Sequence, residues 1–146
     1  MRQLIKIILP IIGILLFNSC LTTEVEGIEI GHNLYDTQGY TKNKKLAELI
    51  KLTINKDDTS LVQLIDYWCG GAAGCYDLGG VITQIIYKIG EDDFIIMVNK
   101  LSLDKKNNLK GLIDVGLEYC DNSKYSKMNT TTIDKAFPKL NVILGK

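Results

Sequence analysis

The sequence predicts an all-α domain over residues 42–146. Three observations carry that expectation. Apolar residues recur at helical spacing in one segment after another from Leu46 onward. No proline interrupts the chain between Thr41 and Pro138. Strict apolar–polar alternation, the mark of a half-buried strand, is missing even from the isoleucine-rich stretches. Together these predict five or six short amphipathic helices, packed as a small bundle or as a stack of helical hairpins.

Each element has its own justification. Residues 21–41 hold Thr22, Thr23, Glu24, Glu26, Gly27, Gly31, Asn33, Asp36 and Gly39 with only scattered apolar positions. That composition predicts a flexible tether, in which Val25, Ile28 and Ile30 could form one short extended segment and His32 is a solvated loop residue. Leu46, Leu49, Ile50 and Ile54 then define a first helix after a polar start at 41–45. Asp57-Asp58-Thr59-Ser60 supplies capping residues for a second, with Leu61, Leu64 and Ile65 on one face. Leu78, Val81, Ile82, Ile85, Ile86 and Ile89 repeat the i, i+3, i+4, i+7 pattern and stop at Gly90. Glu91-Asp92-Asp93 suits the positive end of the next helix, which carries Phe94, Met97 and Val98. Asp104 opens a fifth segment with Leu109, Ile113 and Leu117 inward, and Ile133 to Leu144 form a last helix broken or restarted at Pro138. The hairpin rhythm of residues 59–120 resembles HEAT-like helical-repeat stacking, with Gly90–Asp93 as a tight turn between paired helices.

The chain of 146 residues has 17 cationic and 17 acidic side chains, but the first twenty residues contain Arg2 and Lys6 and no acid. The remainder therefore carries a small negative excess, with no basic stripe of the kind nucleic acid demands. A charged start, an uncharged apolar run from Ile7 to Phe17 and a small residue at Ser19 form a secretion signal. The run would make roughly 17 Å of helix, too short for a ~30 Å hydrocarbon core.

Phe17-Asn18-Ser19-Cys20 resembles the lipobox of bacterial lipoproteins, in the looser form of Bacteroidota-type envelopes. The resemblance implies a signal peptide at 1–19, acylation of Cys20, and anchoring of residues 20–146 to a membrane without a spanning helix. Two or three acyl chains hold such an anchor firmly where one does not. Leu21 after the cysteine implies sorting to the outer membrane, facing the periplasm or the cell surface. The covalent lipid on Cys20 is the only prosthetic group expected.

Cys69, Cys75 and Cys120 remain for an oxidising compartment, enough for one bridge and one free thiol. The run Cys69-Gly70-Gly71-Ala72-Ala73-Gly74-Cys75 favours a 69–75 bridge across a sharp reversal, with 75–120 and 69–120 as rivals. No Lys-Ser/Thr follows these glycines to make a phosphate loop, and no strand precedes them. With His32 the sole histidine, metal sites and His-based nucleophilic catalysis are disfavoured. Tyr67, Trp68, Tyr76 and Asp77 surround the joint. Trp68 is expected in the core, whereas Tyr67, Tyr76 and Asp77 are the candidate binding residues. The reading is a non-catalytic, protein-binding lipoprotein, in the form of an immunity or inhibitor protein or of an assembly subunit. An enzyme working through Asp66 and Asp77 is the rival from another class.

Overall fold

A computed structural model describes residues 23–120 and 131–145. The leader, Cys20 and residues 121–130 lie outside the described residues. The order is β1 (Glu24–Val25), β2 (Ile28–Glu29), α1 (His32–Thr37), α2 (Tyr40–Ile54), α3 (Asp58–Ile65), α4 (Ala72–Ile89), α5 (Glu91–Val98), α6 (Leu103–Tyr119), α7 (Ile133–Ala136) and α8 (Pro138–Leu144). Helices hold 73% of the described residues, so the fold is all-α, with one two-stranded hairpin.

The centre is α4. From Leu78 to Ile86 every residue is buried, which marks a helix enclosed on all sides rather than laid on a surface. It packs against α1, α2, α5, α6 and β2. One long helix thus meets elements from both halves of the chain, and the shorter helices gather around it, with α3 to α6 running 8, 18, 8 and 17 residues.

The backbones of α4 and α6 approach closely. A methyl group at Gly79 would lie 2.2 Å from the carbonyl oxygen of Leu112, and one at Gly116 would lie 2.4 Å from the backbone of Gly79. Two glycines facing each other let the backbones meet where side chains would hold them apart. Around this crossing Leu78, Ile82, Ile85, Leu109, Ile113 and Leu117 fill the core.

Several expected boundaries hold for the physical reasons given. Asp57 caps α3, its carboxylate accepting from the Ser60 N–H at 2.7 Å. Gly90 ends α4 with φ +89°, and its carbonyl accepts the Phe94 N–H that opens α5. Pro138 sits in the first turn of α8, separating it from α7. Asp92 and Asp93 occupy the first turn of α5 and also bind outward, Asp92 to Lys139 and Asp93 to Lys56.

The tether expectation is corrected from residue 23 onward. Val25, Ile28, Ile30 and Leu34 are buried core residues, and the span forms the hairpin and α1. Val25 pairs with Ile28 around a two-residue turn at Glu26 (φ 53°) and Gly27 (φ 78°). Positive φ at both positions matches the twist of paired strands. The side-chain amide of Gln84 then receives the Glu29 N–H at 2.8 Å and donates to the Glu29 carbonyl at 3.0 Å, so the sheet edge is matched by a side chain. His32 opens α1 and is exposed, not a loop residue.

Candidate functional site

The glycine run between α3 and α4 is half turn and half helix. Gly70 (φ +80°) and Gly71 (φ +145°) make the reversal, and the Cys75 N–H already donates to the Gly71 carbonyl as the first turn of α4. Gly74 is required for a different reason: a Cβ there would stand 2.0 Å from the Cys69 carbonyl oxygen. The helix therefore begins at Ala72, six residues before its apolar periodicity does. Cys69 and Cys75 are brought to disulfide distance, with Cα atoms 4.9 Å apart. Cys120 pairs with neither.

The loop is tied to the corner between α1 and α2. Gln38 Nε2 donates to the Trp68 carbonyl at 3.0 Å, and the Tyr67 hydroxyl donates to the Lys42 carbonyl at 2.8 Å. Lys42 Nζ lies 4.0 Å from the centroid of the Trp68 ring. Such a contact contributes about 0.5–1 kcal/mol at an exposed site and restrains the indole. Trp68 is 58% exposed, which corrects its expected place in the core. It lies beyond the end of α3, where helical periodicity no longer sets the direction of a side chain.

Tyr67 and Tyr76 do come together. Both line a groove of about 420 Å³ between the loop and α6, floored by Cys69, Cys75, Leu112 and Val115. The Tyr76 ring stacks on Tyr119 of α6, centroids 4.5 Å apart and planes 17° from parallel. Burial raises the Tyr67 hydroxyl above its ordinary pKa, so it remains a neutral donor.

Asp77 belongs elsewhere. Its carboxylate accepts the Leu34 N–H at 2.9 Å, holding the start of α1 against α4. It lines a separate cavity of about 320 Å³ with His32, Gln84, Tyr119 and Cys120. Gly31 permits this approach, since a Cβ there would be 2.1 Å from the Asp77 Cγ. The Cys120 thiol donates to the Tyr76 carbonyl at 3.1 Å. Burial first, and the Asp77 charge second, push its pKa up to about 11, so it is a protonated and weakly nucleophilic thiol at neutral pH. Asp66 is paired with Lys105. The two acids considered for catalysis thus serve different contacts, and Asp66 does not line the Asp77 cavity.

Sequence reasoning missed Gln38, Lys42 and Tyr119. The first two act across a gap of 25 to 30 positions, and no local pattern signals that. Tyr119, at the end of a periodic helix, could have been marked by its place beside Cys120. Among the described residues there is no group of three or more His, Cys, Asp or Glu side chains suited to a metal ion, and no helix long and apolar enough to cross a membrane. No family model, curated protein or solved structure matches the chain.

Proposed function

We propose that this chain is a bacterial envelope lipoprotein, anchored through lipid on Cys20, whose helical domain binds another protein through the aromatic face of the α3–α4 loop. The observation that carries the reading is Trp68: a large indole, 58% exposed, restrained by Lys42 and set immediately before the short loop between Cys69 and Cys75. Interface energy concentrates in rigid aromatic anchors, because ordering them on binding costs little entropy. The Tyr67–Tyr76 groove beside it offers the partner a concave apolar surface. The lipobox resemblance supplies the location, and the neutral charge balance argues against nucleic acid as the partner. An immunity or inhibitor protein facing an envelope-acting toxin, and an assembly subunit of an envelope complex, are the two forms this takes.

A photo-crosslinking residue placed at Trp68 in the full chain, in its native envelope, tests the reading. The control is the same residue at Val142, which is equally exposed. A discrete adduct from position 68, absent from position 142 and reduced by Tyr76→Ala, is the expected result, and its mass spectrum separates toxin from assembly partner. Matching adduct patterns from both positions would refute the proposal.

A further inference from the structure

The antiparallel crossing of α4 and α6 places two tyrosines against each other. Tyr76 lies three positions before Gly79, and Tyr119 three positions after Gly116. The close approach of the two glycines therefore sets these side chains opposite one another, about one turn beyond the contact on each helix. Their rings stack with centroids 4.5 Å apart and planes 17° from parallel. Both are open to small reagents: Tyr119 is 54% exposed, and Tyr76 lines the groove beside the Cys69–Cys75 loop.

Two phenols held in this way can be coupled by oxidation. We propose that Tyr76 and Tyr119 form a modification site, at which a peroxide oxidant joins their rings as dityrosine and locks the start of α4 to the end of α6. The site depends on neither the lipid anchor nor a protein partner. Each phenol gives up one electron and one proton and becomes a tyrosyl radical. The Glu118 carboxylate holds the Tyr119 hydroxyl above its ordinary pKa through a hydrogen bond and its charge, and it relays that proton to water. The Tyr76 proton passes to water in the groove. The two unpaired electrons then form one carbon–carbon bond between ring positions ortho to the hydroxyls. The hydrogen on each of those carbons moves to the phenolic oxygen, which restores both aromatic hydroxyls. The chain has lost two hydrogen atoms, and the hydrogen peroxide that takes them up is reduced to two waters. One ring radius on either side of a single bond puts directly bonded rings at nearly the centroid separation seen here. Coupling therefore needs rotation of the rings and no parting of the helices.

Treating the full chain with hydrogen peroxide and a haem peroxidase tests this. The monomer should gain the blue fluorescence of dityrosine. Trypsin should release the peptide containing Tyr76 joined to the peptide containing Tyr119, two hydrogen atoms lighter than their sum. Thiol reductants should leave the link intact, which separates it from a disulfide. Tyr76→Phe and Tyr119→Phe keep the ring and remove the phenol, and each should abolish the link. The joined monomer should unfold at a higher guanidinium concentration than the untreated chain, because the link closes the stretch between residues 76 and 119. Absence of the monomer link after treatment overturns the proposal, as does a link that survives in Tyr119→Phe. So does dityrosine confined to dimers joined through Tyr40, which is 67% exposed, or oxidation that consumes the Cys120 thiol and leaves both rings unjoined.

Discussion

Replacing Gly116 by alanine should open the crossing of α4 and α6, and the size of the effect can be worked from the contacts there. The new methyl would stand 2.4 Å from the carbonyl carbon and oxygen of Gly79 and 2.6 Å from the Thr83 hydroxyl. Carbon contacts settle at about 3.5–4.0 Å, so the helices must part by about 1 Å or more. Backbone atoms cannot rotate away as a side-chain end can. Overpacking of this kind costs about 1–3 kcal/mol, and rigid neighbours put Gly116 at the upper end. Alanine returns about 1 kcal/mol of helix propensity, leaving a net loss of about 2 kcal/mol. Gly111 is the internal control: it lies in the same helix, and a Cβ there meets nothing within 4 Å. Gly111→Ala should therefore stabilise by about 0.5–1 kcal/mol. Guanidinium unfolding followed by far-ultraviolet circular dichroism reads both. A Gly116→Ala midpoint at or above wild type would refute the reasoning, as would equal losses in the two variants.

Other predictions concern the cysteines. Cys120 should resist alkylation in the native protein at pH 8 and react fully after unfolding; rapid native labelling would contradict its burial. Its folded pKa of about 11 exceeds the ordinary 9.0 of a free thiol. The folded state therefore keeps a proton that the unfolded state releases, so stability is whole below pH 9 and falls as pH rises toward 11. Cys120→Ala should flatten that alkaline limb, and an unchanged slope would assign it to other groups such as Tyr67 and Tyr87, whose pKa values burial also raises. Non-reducing peptide mapping should recover a Cys69–Cys75 fragment, and reduction should cost about 2 kcal/mol for so short a loop; free, alkylatable thiols at 69 and 75 would dismiss the bridge. Labelled palmitate should enter the wild-type chain and be lost in Cys20→Ala, and equal labelling of both would remove the lipobox reading.

Much of the fold was legible because long amphipathic helices advertise themselves. Five apolar stripes, the Asp57 cap, the Gly90 stop and the Pro138 break each follow from a periodicity or a single local interaction, which neighbouring residues are enough to encode. The cysteine spacing was legible for the same reason, since seven consecutive residues rich in glycine contain the whole reversal. Residues 23–37 were not. Strands of two residues have no period, and four apolar anchors spread over ten positions look like a polar linker until α4 covers them. The Glu26–Gly27 pair, flanked by Val25 and Ile28, was the available clue to a hairpin.

The candidate sites divide along the same line. Sequence by itself determined the helical class and the presence of aromatic residues around a cysteine-flanked joint, because both rest on short-range chemistry. Only tertiary structure decided that Trp68 faces outward under Lys42, that Tyr67 and Tyr76 share a groove while Asp77 braces α1, and that Gly79 meets Gly116. Each of those outcomes depends on which backbone comes within a few ångströms of another across long stretches of chain, and no local pattern specifies such an approach.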